Sequence, residues 1–383
     1  MSATGTDDRP VVVQALRTPI GTAGMSLAAL SAADLAAPVI SAVTDSLGAD
    51  AGAVRDVVLG NCMGPGGDVA RVAVLQAGLP ASVPGLIVDR QCGSGLAAIV
   101  LAASLARDEE GVVLAGGVES ASTAPWRFWP PAGGGEPTRY TRAPFAPASL
   151  GDPDMGPAAD LLATDCGVTR ACQDEYAARS HARAVATRRA GGFAEEIVPV
   201  AGVGHDERPR DRFTADRLSR LRPAFGPGGT VTAGNSCGVN DGAAVVAVVD
   251  AATHRRLGVP GLRILATATA GVDPNRPGLG IVPATRTVLQ RAGLTLDDID
   301  VVEFNEAFAG QVLACCLALD LDPERVCPEG GALALGHPWG ASGAVLAVRL
   351  FSQLVRRPGR RYGLAAIAVG GGQGVAMVVE ACS

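Results

Sequence analysis

A cysteine stands where an apolar run gives way to small residues, in Asp89-Arg90-Gln91-Cys92-Gly93-Ser94-Gly95-Leu96. The pattern predicts a strand end followed by a helix that begins at the cysteine. A helix start offers unpaired N–H groups and the positive end of a dipole. Both favour thiolate over thiol and lower a cysteine pKa. The small residues at 93 to 95 leave room for another backbone or a ligand. Cys92 is therefore a candidate nucleophile. A lone cysteine at a turn also serves as a small buried residue, so spacing alone leaves both readings open.

A second segment, Gly330-Gly331-Ala332-Leu333-Ala334-Leu335-Gly336-His337-Pro338-Trp339-Gly340-Ala341-Ser342-Gly343, holds one of only four histidines. Placing an imidazole against a substrate explains such a glycine-flanked histidine. The competing reading is a buried histidine satisfied by backbone. His181, His205 and His254 lie in Arg-rich or polar surroundings, which predicts surface positions. Three of the five Asn fall in two further segments, Thr230 to Gly242 and Asn305-Glu306-Ala307-Phe308-Ala309. A glycine loop, Gly370-Gly371-Gly372-Gln373-Gly374, follows the last long strand. No GxGxxG stands in a strand–helix context, which argues against a nicotinamide site.

These residues must be held by a large scaffold. The 383 residues allow two or three units of domain size. The chain is 48% hydrophobic and 18% charged, with a mean hydropathy of +0.26. That is too apolar for a disordered chain. A formal charge of −6 argues against a nucleic-acid partner. All 32 cationic side chains are Arg. This excludes a Schiff-base lysine and a lysine-bearing P-loop. The N-terminus lacks signal-peptide features. No apolar run reaches the ~18–20 residues that span a bilayer. The nine Cys form neither CxxC nor a paired zinc pattern, so no metal site is expected. They fit reduced thiols of a cytoplasmic protein, all but about one being ordinary small buried residues.

Short apolar runs predict buried strands at 11–13, 57–59, 112–115, 243–249, 301–304 and 364–369. Longer stretches predict helices at 27–47, 95–107, 158–190, 285–292 and 342–356. This alternation predicts an α/β fold with covered sheets. An echo points to duplication. Cys92-Gly93-Ser94-Gly95 opens an apolar helix, then a strand and Gly116-Gly117 follow. His337 to Gly343 opens another, then a strand and Gly370-Gly371-Gly372 follow. The intervals are 21 and 27 residues. Residues 122–232 break the rhythm. Trp126, Phe128, Trp129, Tyr140 and Phe145 gather five of the 14 aromatics in 20 residues. The region suits a cover over a ligand site and an oligomer contact equally.

Together and in this order, these segments resemble the thiolase family. The resemblance runs from Arg17-Thr18-Pro19-Ile20-Gly21, through Gly116-Gly117-Val118-Glu119-Ser120 and Glu196-Ile197-Val198-Pro199-Val200, to Gly374. It implies a five-layer αβαβα fold of two duplicated halves. Residues 1–121 and 233–261 would form one half, 262–383 the other, and 122–232 an inserted loop domain. It implies acyl transfer through a covalent thioester, with coenzyme A as carrier and no permanently bound cofactor. It further implies a homodimer or homotetramer. Cys92 matches the nucleophile and His337 the group that takes its proton. The backbone N–H groups of Cys92 and Gly370 match an oxyanion hole. Asn305 matches the residue that holds a water, forming with His337 a second hole for an enolate oxygen. Arg210, Cys237, Ala233, Val239, Met155 and Phe308 fall at CoA-contact positions, with core packing the competing role for Phe308.

The sequence departs from the family at one chemical position. A second catalytic cysteine belongs two residues before Gly370, where Ala368 stands. That cysteine moves the C2 proton of the second acyl-CoA, and alanine cannot. Asp154, Cys237, Cys327, Glu329 and Trp339 also depart from common family residues. The leading expectation is an acyltransferase that loads Cys92 and serves an acceptor needing no base at position 368. The alternatives are a conventional acetyl-CoA C-acetyltransferase or 3-ketoacyl-CoA thiolase with a substitute base, Cys237 being the first thiol to test, and a non-catalytic acyl-CoA-binding subunit.

Overall fold

The computed structural model describes residues 8–48, 54–108 and 110–383. Residues 1–7, read above for a signal sequence, lie outside the described residues. The first stretch runs β1 (Val11–Arg17), β2 (Gly21–Thr22), α1 (Ala32–Ser46), β3 (Val54–Gly60), α2 (Val69–Gln76), β4 (Leu86–Val88), α3 (Ser94–Asp108) and β5 (Val112–Ser120). An insertion follows, with β6 (Arg127–Trp129), β7 (Thr138–Tyr140), α4 (Met155–Asp165), α5 (Arg170–Arg189) and α6 (Ala215–Ser219). Next come β8 (Asn240–Val249), α7 (Ala251–Leu257), β9 (Gly261–Gly271), α8 (Ile281–Ala292), β10 (Val301–Phe304) and α9 (Ala309–Leu319). The chain ends with α10 (Ala332–Leu335), α11 (Trp339–Leu354), β11 (Tyr362–Val369) and β12 (Gln373–Cys382).

The strand order repeats. In the first half it is β3-β5-β8-β1, and in the second β10-β11-β12-β9. Each quartet has one parallel pair followed by two antiparallel pairs. The halves join edge to edge through only two residue pairs, Val11 with Arg263 and Val12 with Leu262. Between the sheets lies a core from α3, α11 and the inner face of both. Two outer cores cover the far faces, one under α1 and α2, the other under α8 and α9. This is the five-layer αβαβα arrangement. Every residue of β8 is buried, as a strand covered on both faces requires. Almost all of α11 is buried too, which suits a helix in a central layer.

The structure differs from the local reading in places. Residues 158–190 form two helices, not one. Gly167 turns with φ +65, and the Thr169 side chain caps α5 by accepting the Cys172 N–H. β9 and β12 were not visible as apolar runs. The small residues of β9 become a strand by pairing with β12 along ten positions. His181 and His254 are buried, not at the surface. His181 packs against Phe213, with centroids 4.1 Å apart and the rings tilted by 51°. Only Cys315, Cys316 and Cys327 are fully buried, fewer than expected. Among the described residues, no helix is long and apolar enough to cross a membrane.

Candidate active site

The site is built where α3 and α11 touch at their first turns. A methyl on Gly95 would lie 2.8 Å from Gly340 O, and one on Gly343 2.4 Å from Leu96 N. Only glycine permits that approach. It draws together Cys92, two residues before α3, and His337, two residues before α11. Both line one cavity of about 110 Å³, with Gly370, Met155, Cys237, Phe308 and Ala368. Phe145 of the insertion presses on the glycine loop: a methyl on Gly370 would sit 2.8 Å from its ring. The insertion thus covers the site at that point.

Asn305 does not line this cavity. It is buried behind it, in a smaller cavity that also touches Ser342. Arg210, Ala233 and Val239 are exposed and lie outside both. The Arg210 backbone N–H donates to His181 Nδ1 at 3.4 Å.

His337 is fixed at two points, each braced by a further hydrogen bond. Its backbone N–H donates to Asn240 Oδ1 at 2.9 Å, and Asn240 Nδ2 donates to Gly21 O at 2.8 Å. Its ring Nδ1 lies 2.6 Å from Ser342 Oγ. The Ser342 hydroxyl donates to Pro338 O at 3.0 Å. A hydroxyl has one hydrogen. When that hydrogen goes to Pro338 O, Nδ1–H is the donor to Oγ and Nε2 is the free base; when it goes to Nδ1, the ring proton sits on Nε2. Burial pushes His337 down to about 4, so the ring is neutral at pH 7.

Two buried carboxylates hold the surrounding loops. Glu119 accepts the N–H groups of Cys62 at 3.1 Å, Met63 at 3.0 Å and Gly340 at 3.0 Å. Glu306 accepts from Tyr176 OH at 2.8 Å, Ser180 Oγ at 2.6 Å and Leu333 N–H at 3.2 Å. Burial raises both pKa values despite these donors. Ser342, Asn240, Glu119 and Glu306 had no assigned role in the sequence. The available signal was an acid within or just beyond an apolar strand, a costly placement unless it organises polar neighbours.

The thiol itself corrects an expectation. Burial, with the nearby Cys237 thiol, pushes Cys92 up to about 12 instead of lowering it. The α3 helix starts only at Ser94, two residues past the cysteine, while desolvation acts on the sulfur directly. The resting pair is a neutral thiol and a neutral imidazole. Such a pair can pass a proton as the sulfur attacks.

A family model for the thiolase N-terminal domain matches residues 10–252, and one for the thiolase C-terminal domain matches residues 259–381. The chain belongs to the thiolase family. This thiolase is 45% identical to the β-ketoadipyl-CoA thiolase of Pseudomonas aeruginosa, over 96% of this chain and 98% of that one. It is 42% identical to the acetyl-CoA acetyltransferase of Escherichia coli, covering 97% and 98%. The crystal structure of the Bacillus anthracis acetyl-CoA acetyltransferase superposes with a TM-score of 0.91 at 36% identity, covering 99% of this chain and all of that one. Human mitochondrial 3-ketoacyl-CoA thiolase in complex with CoA gives 0.91 at 35% identity, covering 98% of each. Thiolases are acyl-CoA acyltransferases that use CoA substrates and need no permanently bound cofactor.

Proposed function

We propose that this thiolase moves an acyl group from acyl-CoA onto Cys92 and from there to an acceptor. The convergence of Cys92, His337 and Gly370 on one cavity carries this reading. His337 Nε2 takes the thiol proton as the sulfur bonds to the thioester carbonyl carbon. The carbonyl electron pair moves onto oxygen, where the backbone N–H groups of Cys92 and Gly370 receive it. Collapse restores the carbonyl, breaks the bond to the CoA sulfur, and returns the proton from His337 to the departing CoA. Asn305, through a held water, would join His337 in receiving an enolate oxygen in the second step.

Ala368 bears on that second step. Its methyl group neither removes nor returns a C2 proton. This supports an acceptor that is already nucleophilic: a carbanion freed by decarboxylation of a malonyl-type donor, a phenol or an amine. A second reading is favoured by Cys237, whose side of the cavity adjoins Cys92. There it is the substitute base of a conventional thiolase. Burial pushes its thiol up to about 12, with the Arg208 guanidinium pulling the other way.

We also assign CoA contacts to Arg210, Cys237, Ala233, Val239, Met155 and Phe308. The halves divide at 121/122, 232/233 and 261/262. Nine unpaired cysteines support a reducing cytoplasmic setting. The exposed Trp126, Phe128 and Trp129 suit a homodimer or homotetramer contact. Exchange of labelled CoA into acyl-CoA tests the first half-reaction alone. It should proceed in wild type and stop in Cys92→Ala. Exchange that survives in Cys92→Ala would overturn the reading.

A further inference from the structure

Glu303, in β10, is a wholly buried acid that the steps above do not use. Among the described residues its carboxylate has no ion-pair partner. The nearby guanidinium of Arg349 gives its terminal nitrogens to Glu196 and Glu329 instead. Glu303 Oε1 accepts from Gln353 Nε2 at 2.6 Å. Glu303 Oε2 has no partner at hydrogen-bond distance, the neighbouring Cys327 thiol being given to Phe304 O at 3.2 Å, and Oε1 of the same Gln353 has none either. Two orphan acceptors thus belong to two side chains already joined by one hydrogen bond. Buried acceptors are rarely left so. A carboxylate only accepts, whereas a carboxylic acid carries one donor. A carboxylic acid and a primary amide pair through two antiparallel hydrogen bonds, and one of the two is present.

We propose that Glu303 is held as a neutral carboxylic acid that donates its proton to Gln353 Oε1, and that this pair positions Asn305 and His337. Asn305 follows Glu303 by two residues. Gln353 lies on α11, whose start carries His337 and Ser342. The acid–amide pair therefore clamps the strand behind the site to the helix that presents the base. The positioning role rests on the reading of Asn305 and His337 given above. The protonation does not.

The electrostatics agree. Burial pushes the Glu303 carboxyl up to about 7. Glu329, on the segment before α10, adds to the rise, while Arg349 and Gln353 on α11 and Cys327 oppose it. The folded pKa exceeds the ordinary 4.5, so the proton-bound form is the one that folding favours. Its stability contribution is complete below about 4.5 and is lost as pH rises through about 7. The rival arrangement is an ionised Glu303 bridged by a water to Arg349 Nε. That nitrogen is also unpartnered, and a small cavity touches both residues.

Infrared difference spectra between about pH 5.5 and about pH 8.5 separate the two. The expected result is a protonated-carboxyl carbonyl band in wild type that fades as pH rises and is missing in Glu303→Gln. Glutamine keeps both hydrogen bonds to Gln353 at every pH. Wild-type Tm should therefore fall relative to the variant's over that span. The rate of Cys92 acylation should show an inflection near 7 in wild type alone. Cys92, at about 12, and His337, at about 4, titrate outside the window. Gln353→Met should move the band to higher frequency, as for a carboxyl without an acceptor. Glu119 and Glu306, also raised by burial, contribute equally to wild type and Glu303→Gln. No band intensity lost on Glu303→Gln, or a Glu303-dependent band unmoved in Gln353→Met, would overturn the protonated pair. Acylation profiles identical in wild type and Glu303→Gln would overturn the positioning role. Absence of acylation at every pH would sink the reading of Cys92 and leave the band to decide Glu303.

Discussion

Ser342 Oγ lies 2.6 Å from His337 Nδ1 and 3.0 Å from Pro338 O. With its hydrogen on Pro338 O, the serine accepts Nδ1–H and leaves His337 Nε2 free to take a proton. Ser342→Ala removes that control and leaves a buried Nδ1 without a partner. One lost buried hydrogen bond of about 1.4 kcal/mol corresponds to about a tenfold loss in the rate of Cys92 acylation. Stopped-flow release of CoA measures it. An unchanged rate would show that the tautomer is set elsewhere.

His337→Ala removes the base we propose. The expected loss in acylation is about 10²–10⁴-fold, the usual range for a general acid–base group. The variant should fold, because the His337 backbone bond to Asn240 does not need the ring. Circular dichroism with acylation kinetics checks both points. Unaltered kinetics would remove His337 from the mechanism.

Burial sets the resting Cys92 thiol at about 12. Below that value the thiolate fraction grows about tenfold per pH unit. Alkylation of Cys92 by iodoacetamide should therefore climb steadily from about pH 7 to about pH 10. A plateau by about pH 8 would mean a thiolate–imidazolium ion pair in the resting protein.

Ala368→Cys tests the missing acid–base group. Wild type should acylate Cys92 yet condense two acetyl-CoA molecules slowly. The substitution should raise acetoacetyl-CoA thiolysis, by no more than about 10²–10⁴-fold. Trp339 and Cys237 line the same cavity and will limit the gain. Efficient wild-type thiolysis that is lost in Cys237→Ala would favour the substitute base. Efficient thiolysis that survives it would mean that neither residue supplies the proton.

The loops that line the cavity are legible because the chain is apolar. A cysteine or histidine set among glycines stands out where packing has no need of it. The duplication was legible for the same reason, through two matching glycine turns. What escaped depended on tertiary contact. Asn240, Glu119 and Glu306 orient the site only once distant segments meet, whereas Ser342 acts on His337 five residues before it through the first turn of α11. His181 has arginine neighbours in sequence, but α5 turns it onto Phe213. The low pKa expected of Cys92 followed from the helix start, whereas desolvation wins once the sulfur is enclosed. β9 has a weak local pattern and is a strand because β12 lies beside it.

The acyl-enzyme is the central claim, and intact-protein mass spectrometry tests it most directly. Wild type, Cys92→Ala and Ala368→Cys would each be mixed with short acyl-CoAs, quenched in acid and digested to locate any adduct. The predicted result is one acyl mass on the peptide containing Cys92, present in wild type and absent in Cys92→Ala. The contradicting result is no adduct in wild type with any acyl-CoA, or an adduct of equal yield in Cys92→Ala.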